Sequence, residues 1–246
     1  MKTSGNEVLI TGGATGIGFA LADAFLRAGN QVVICGRRMD KLDEASACLP
    51  GIKTSQADIS TPEGRSALIT YSLAHLPNLN LLVNNAGISQ LIELSDTHAS
   101  ELEEKLRSEV EIDCIAPIVL ATQLLPHLKQ QPSAAIVNVT TALVFAPNAA
   151  FPFYAVAKAG LRAFTQSLRF QLQDSHIKVF EVIPPMVDTA LSKSAGSKIT
   201  AKRVAFETLK GIERDRFEIK VGKSKSLALL SRISPSFAYS VINGRN

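Results

Sequence analysis

Residues 11–18 read TGGATGIG, with Gly12, Gly13, Gly16 and Gly18 placed directly after the apolar run Val8-Leu9-Ile10. An apolar run of that length reads as a buried strand, and Ile17–Ala28 reads as an amphipathic helix that Gly29-Asn30 stops. The glycines therefore sit in a strand-to-helix turn. Without a Cβ the backbone there can turn tightly and approach a pyrophosphate, and the first N–H groups of the helix are free to bind the anion. The competing reading is a bare turn. The strand-turn-helix setting favours phosphate binding by Gly12, Thr15, Gly16, Ile17 and Gly18.

Outward from this turn the chain alternates. Strands are expected at Gln31–Cys35, Ile52–Ala57, Leu79–Val83, Ala134–Thr140 and Ile177–Ile183. Between them the helical pattern falls near Met39–Cys48, Thr61–His75, Phe153–Gln173 and one long region around Asp96–Lys129. A further helix is expected at Ala201–Glu213 and a last strand at Phe217–Val221. Such alternation predicts an α/β fold, a doubly wound parallel sheet of Rossmann type, with residues 1–246 as one domain. Ligands of such sheets bind at the carboxyl ends of the strands, where the glycine turn lies.

The end of the second strand bears on which dinucleotide fits. An acidic residue there serves the ribose hydroxyls of NAD; this chain has Gly36, then Arg37-Arg38. Arginine pairs with a 2′-phosphate, so the cofactor expected is NADP. The other reading is two solvated loop arginines.

The 246 residues include 26 Lys+Arg, 22 Asp+Glu and three cysteines, Cys35, Cys48 and Cys114. No apolar run is long enough to span a membrane, and no secretory leader is apparent. Three cysteines without metal spacing fit free thiols in a reducing cytoplasm. His75, His98, His127 and His176 show no metal-like spacing, and no metal is expected. Residues 190–246 hold 12 of the basic residues but 4 of the acidic ones. That imbalance suits either an anionic partner or solvated helix faces. No nucleic-acid reader motif accompanies it.

Three motifs in order, Thr11–Gly18, Asn84-Asn85-Ala86-Gly87 and Tyr154-Ala155-Val156-Ala157-Lys158, resemble the short-chain dehydrogenase/reductase family over nearly the whole chain. The runs Pro77-Asn78-Leu79-Asn80, Cys35–Arg38 and Ile183–Thr189 resemble bacterial members associated with teichoic-acid D-alanylation. The resemblance implies hydride transfer between NADP and a small carbonyl or alcohol substrate. It makes Tyr154 the acid/base and Lys158 its partner, with both also touching the cofactor. Asp58 with Ile59 would meet the adenine, Asn84 would brace the sheet, and Asn85, Ala86 and Gly87 would lie against the cofactor. Pro184, Val187 and Thr189 would meet the nicotinamide end. A homo-oligomer packed through the long helix and the Tyr154 helix is implied as well.

Physical chemistry supports the same pair. Tyr154 and Lys158 share one helix face, and a nearby ammonium favours the phenolate. Three positions depart from the family. Thr141 stands where a serine is usual, thirteen residues before Tyr154; its hydroxyl can still donate, but its methyl stiffens χ1. Asp113 falls where an asparagine helps hold a relay water, and its charge would compete for Lys158 and raise the phenol. Pro184-Pro185 replaces Pro-Gly. The loop Met186–Thr200 is expected to cover the substrate, with Ser194, Gly196 and Ser197 lending mobility. A weakly catalytic redox sensor or scaffold is the alternative function; it would need the glycine turn and Arg37, but not the Tyr154/Lys158 pair.

Overall fold

The computed structural model describes residues 1–95, 98–191 and 198–244. Seven parallel strands form one sheet in the order β3-β2-β1-β4-β5-β6-β7. They are β1 (Glu7–Thr11), β2 (Gln31–Gly36), β3 (Lys53–Gln56), β4 (Leu81–Asn84), β5 (Ala134–Val139), β6 (Ile177–Ile183) and β7 (Glu218–Lys220). The doubly wound α/β sheet read from the sequence is the fold observed. Its strand order reverses between β1 and β4, and a crevice opens there at the carboxyl edge.

Period-two burial builds both faces of the sheet. Val8, Ile10, Val32 and Ile34 face one layer with Leu21 and Phe25 of α1 (Gly16–Arg27) and Val204 and Ile212 of α7 (Ala201–Glu213). Leu9, Val33 and Leu82 face the other. There they meet Leu68 of α3 (Pro62–His75), Leu120 and Leu124 of α5 (Ala116–Leu128) and Leu168 of α6 (Pro152–Gln171). Because both faces are covered, the central strands are apolar throughout instead of alternating. The remaining early helix, α2 (Met39–Cys48), has the bounds expected.

Local signals set the ends. Gly29 takes φ +82° after α1, and the Asn30 carboxamide donates to Phe25 O at 2.7 Å while accepting from Asn6 N at 2.9 Å. Thr61 caps α3 by accepting from Gly64 N at 3.0 Å, with Pro62 in the first helical position.

The expected continuous helix over Asp96–Lys129 is corrected. Asp96 lies outside the described residues, and the stretch divides into α4 (Ala99–Val110), a π-helical turn at Glu111–Ile115, and then α5. Pro117 accounts for the break: it has no N–H to give the carbonyl of Asp113, and its ring crowds that carbonyl. The sequence reading also stopped short of two C-terminal helices, α8 (Ser224–Ile233) and α9 (Pro235–Asn243), joined by Ser234 alone.

Candidate active site

The glycine turn is held closed from both sides. Thr11 Oγ1 accepts from Asn85 N at 3.0 Å and Ala86 N at 3.1 Å, and Asn85 Nδ2 donates to Thr11 O at 3.0 Å. Gly18 packs so tightly that a Cβ would lie 2.2 Å from Gly12 O and 2.5 Å from Asn85 Nδ2. Helix α1 starts at Gly16 with no side-chain cap from Thr15 and no acidic residue in its first turn. Its leading N–H groups are thus left for an anion. Gly18→Ala is expected to cost about 3 kcal/mol, the upper end for overpacking, read as a fall in the denaturant midpoint. An unchanged midpoint would mean that the turn relaxes freely.

A cavity of about 980 Å³ opens beside this turn. Gly12, Thr15, Gly16, Ile17, Arg37, Arg38, Asp58, Ile59, Asn85, Ala86 and Gly87 line its one part. Thr141, Tyr154, Lys158, Pro184, Val187 and Thr189 line the other. Two of the residues singled out in the sequence stand behind its wall: Gly18 in the turn, and Asp113 behind Lys158. Asp58 Oδ1 is engaged by Ser60, at 3.0 Å from its N–H and 2.8 Å from its hydroxyl. Among the described residues Arg37 and Arg38 form no ion pair, and both side chains are exposed.

Asn84 donates to Asn138 Oδ1 at 2.9 Å and to Pro117 O at 3.2 Å, tying β4 to β5 and to the start of α5. Asn138 Nδ2 in turn donates to Thr165 of α6 at 2.8 Å. One α6 turn past Lys158, Arg162 pairs with buried Glu181 at 2.6 Å, and Thr140 Oγ1 donates to the same carboxylate at 2.7 Å. These bonds fix the Tyr154 helix against β5 and β6, just before the chain leaves β5 for Thr141. The bracing role of Asn84 was expected from the resemblance, whereas the contacts of Arg162, Glu181 and Thr140 carried no sequence signal.

Lys158 is buried. Its Nζ donates to Val139 O at 3.2 Å, pairs with Asp113 Oδ1 at 2.8 Å and lies 5.8 Å from the centre of the Tyr154 ring. The π turn carries Asp113 into this position, and its Oδ2 accepts from Ile88 N at 2.9 Å. A Cβ on Gly87 would lie 2.4 Å from Asp113 Oδ1, so only glycine leaves room for the carboxylate. Burial works to lower the Lys158 ammonium, but Asp113 and Tyr154 outweigh it and leave it raised. Burial raises the Asp113 carboxyl, opposed by Lys158 and the Ile88 N–H.

Lys158 does lower the Tyr154 phenol as expected, but it is outweighed and the phenol stands raised overall. Burial pushes the phenol up; Lys158 and Thr141 pull it down, while Asp113 and Glu109 add to the rise. Thr141 also caps a single 3-10 turn, Ala142–Val144, accepting from Leu143 N at 3.3 Å.

Glu109 escaped the sequence reading. It is fully buried one turn before Asp113, and its Oε1 accepts from Gln90 N at 2.5 Å. Glu109 and Asp113 thus staple the segment after Gly87 through alternate N–H groups, Ile88 and Gln90. The i, i+4 spacing of two acids on one helix was the available signal. Burial raises Glu109 from 4.5 to about 7, with the Asp113 charge assisting against the Gln90 hydrogen bond. The native state therefore holds this proton more tightly than the unfolded chain. The resulting stability is fully present below the unfolded value and is lost as pH rises through about 7. Glu109→Gln is expected to flatten the decline in melting temperature between about pH 5 and about pH 8, a gain on the order of 1–3 kcal/mol at the alkaline end. Parallel wild-type and variant curves would show that Glu109 ionises freely.

Pro184 O accepts from Ala142 N at 2.9 Å, and all peptide bonds among the described residues are trans, so Pro185 is accommodated without isomerisation. The following loop closes on itself, with Met186 O accepting from Ile199 N at 3.1 Å and Asp188 N donating to Ile199 O at 2.9 Å. Ser194, Gly196 and Ser197 lie outside the described residues. Cys35, buried in β2, has its thiol pushed up to about 12 by burial, which suits a packing role.

A family model described as short chain dehydrogenase matches residues 6–200. The chain is 44% identical over 198 residues to an uncharacterized oxidoreductase, DltE, of Bacillus subtilis, covering 80% of this chain and 78% of that one. A short chain dehydrogenase from Burkholderia cenocepacia solved in complex with NADP superposes with a TM-score of 0.86 at 22% identity, covering 98% of this chain and 99% of that one. A short chain dehydrogenase/reductase from Burkholderia phymatum in complex with NAD superposes with a TM-score of 0.86 at 18% identity, covering 100% and 97%. With the sheet order, the glycine turn and the Tyr154–Lys158 cavity already in place, this match over most of the chain makes the protein an oxidoreductase of the short-chain dehydrogenase family.

Proposed function

We propose that residues 1–246 act as one catalytic unit, an NADP-dependent oxidoreductase working on a small carbonyl/alcohol pair. The observation that carries this reading is the convergence in one cavity of an uncapped helix N-terminus, two unpaired arginines, and the Tyr154–Lys158 pair. A dinucleotide fits these residues: the α1 N–H groups suit its pyrophosphate, and the tight Gly12–Gly18 contact lets backbone approach it closely. Arg37 and Arg38 suit a 2′-phosphate, with Asp58 and Ile59 placed for the adenine and Pro184, Val187 and Thr189 for the nicotinamide end. NADP is the complex named for one solved relative and NAD for another, so the choice rests on Arg37 and Arg38.

When bound, the cofactor supplies or takes up the hydride. Tyr154 donates its phenolic proton to the substrate oxygen in reduction, or accepts the alcohol proton in reverse. Thr141 donates a hydrogen bond to that oxygen, Lys158 stabilises the phenolate, and Asp113 holds Lys158 in place. The Asp113 charge and the raised phenol also favour the second reading, a dinucleotide-binding sensor with little turnover. Ile115, Val156 and Phe170 are exposed on the π turn and α6, which suits a homo-oligomer packed there. The free cysteines suit a cytoplasmic setting.

The test is titration of the purified chain with NADPH and NADH, then NADPH oxidation against a panel of aldehydes and ketones. Tight NADPH binding with turnover supports the enzyme; tight binding with none on any compound supports the sensor. Arg37→Gln is expected to weaken NADPH about tenfold or more while leaving NADH affinity nearly unchanged, the loss of a charge-assisted contact to phosphate. Equal effects on both nucleotides would remove the case for NADP.

A further inference from the structure

We propose that the C-terminal helical hairpin, α8 with α9, docks the protein on an anionic lipid surface. Among the described residues, five of the fifteen exposed large apolar side chains fall within the twenty residues 224–243. Leu229, Ile233 and Phe237 are 61%, 73% and 53% exposed; Leu229 and Ile233 share one face of α8, and Phe237 follows on the first turn of α9, past Ser234. Val241 shares the Phe237 face of α9, and Tyr239 is exposed on another side of the same helix. A soluble chain leaves single apolar side chains in water, but a run of this kind marks a docking surface.

The charge pattern selects the partner. No acidic residue occurs between Ile219 and Asn246, while Lys220, Lys223, Lys225, Arg232 and Arg245 do. Lys225 and Arg232 are exposed beside the apolar stripe, Lys225 with only a loose 3.9 Å approach to Glu207 of α7. Apolar and aromatic side chains flanked by cations, with no acid in the hairpin, match the boundary between acyl chains and acidic headgroups. A second copy of the chain fits less well. A two-fold contact would bring the same cations face to face with no acid of the hairpin to offset them. No helix among the described residues is long and apolar enough to cross a membrane, so the contact is peripheral.

The hairpin is rigidly presented. Ala228 of α8 and Ala238 of α9 are buried, and Asn243 ties the end of the hairpin down, accepting from Ala149 N at 2.7 Å and donating to Pro147 O at 3.1 Å. Its inner side, through Leu227, Leu230 and Ile242, lines the same cavity that holds Tyr154. Val241 belongs to both the cavity and the exposed patch, and Met186 and Leu191 are exposed at the cavity as well. Docking would therefore set the cavity mouth toward lipid.

The experiment is sedimentation of the full chain with vesicles of phosphatidylglycerol and phosphatidylcholine mixed, against pure phosphatidylcholine. Partition into the anionic vesicles is expected to be stronger by about tenfold and to weaken with salt. Leu229→Ser with Ile233→Ser and Phe237→Ser is expected to lower it by about tenfold or more. Lys225→Glu with Arg232→Glu, which leaves the apolar side chains in place, is expected to remove the preference for anionic vesicles. Equal partition into both vesicles, partition into neither, or a charge-reversed variant that keeps the preference overturns the proposal. So does a serine variant that changes oligomeric mass but not vesicle binding, which would assign the patch to a second copy. Vesicle binding needs no turnover, so its failure leaves the oxidoreductase reading untouched.

Discussion

Tyr154→Phe is expected to lower kcat for carbonyl reduction by about 10²–10⁴-fold, the range over which a positioned acid/base contributes. NADPH affinity is expected to hold. The phenol oxygen is the only atom the substitution removes. Lys158 keeps Val139 O at 3.2 Å and Asp113 at 2.8 Å, so the buried cation is not orphaned. Tyr154 is half-buried at the cavity wall, and the phenylalanine ring fills the same space. A loss in kcat with unchanged nucleotide affinity and unchanged melting temperature would isolate the proton step. Retention of more than a tenth of the rate would place the acid elsewhere, and Thr141 would be the nearest hydroxyl to examine.

The fold was legible because its signals are local. Val8-Leu9-Ile10 is apolar since both sheet faces are covered, and the glycines of residues 11–18 mark where α1 must pack on β1. Tyr154 and Lys158 were findable from their spacing together with the family resemblance, Thr141 and Asp113 from the resemblance alone. The 2.8 Å contact of Asp113 with Lys158 depends on a π turn that periodicity does not reveal. Pro117 was the visible cause, and its effect needed three dimensions. Glu109 reads on paper as a solvated acid among Glu103, Glu104 and Glu111; in the fold it is fully buried, with the Gln90 N–H as its partner. Helices α8 and α9 went unread because large apolar side chains lie on both of their sides, Leu227, Leu230 and Ile242 at the cavity and Leu229, Ile233 and Phe237 in solvent, so no single apolar face marks them.

Asp113→Asn is expected to move the acid limb of the pH profile for alcohol oxidation down by about one unit or more, since one charge beside the phenol is removed. Lys158 lowers the Tyr154 phenol and Asp113 raises it, so the two members of the pair oppose each other at the reacting oxygen. With asparagine the cation acts alone, and the phenolate that accepts the alcohol proton forms at lower pH. The same change costs stability. Asp113 now serves two donors, Lys158 Nζ at 2.8 Å and Ile88 N at 2.9 Å. An asparagine offers one acceptor oxygen, and its amide N–H₂ meets a donor on the other side. The cost is expected near about 3 kcal/mol, the lower end for removing one member of a buried pair, because the amide keeps one of the two bonds. Faster alcohol oxidation at neutral pH in a less stable protein would show that Asp113 trades rate for a fixed Lys158. An unmoved acid limb would mean that the Asp113 carboxyl already carries a proton in the native state, and that Lys158 acts on Tyr154 at full strength.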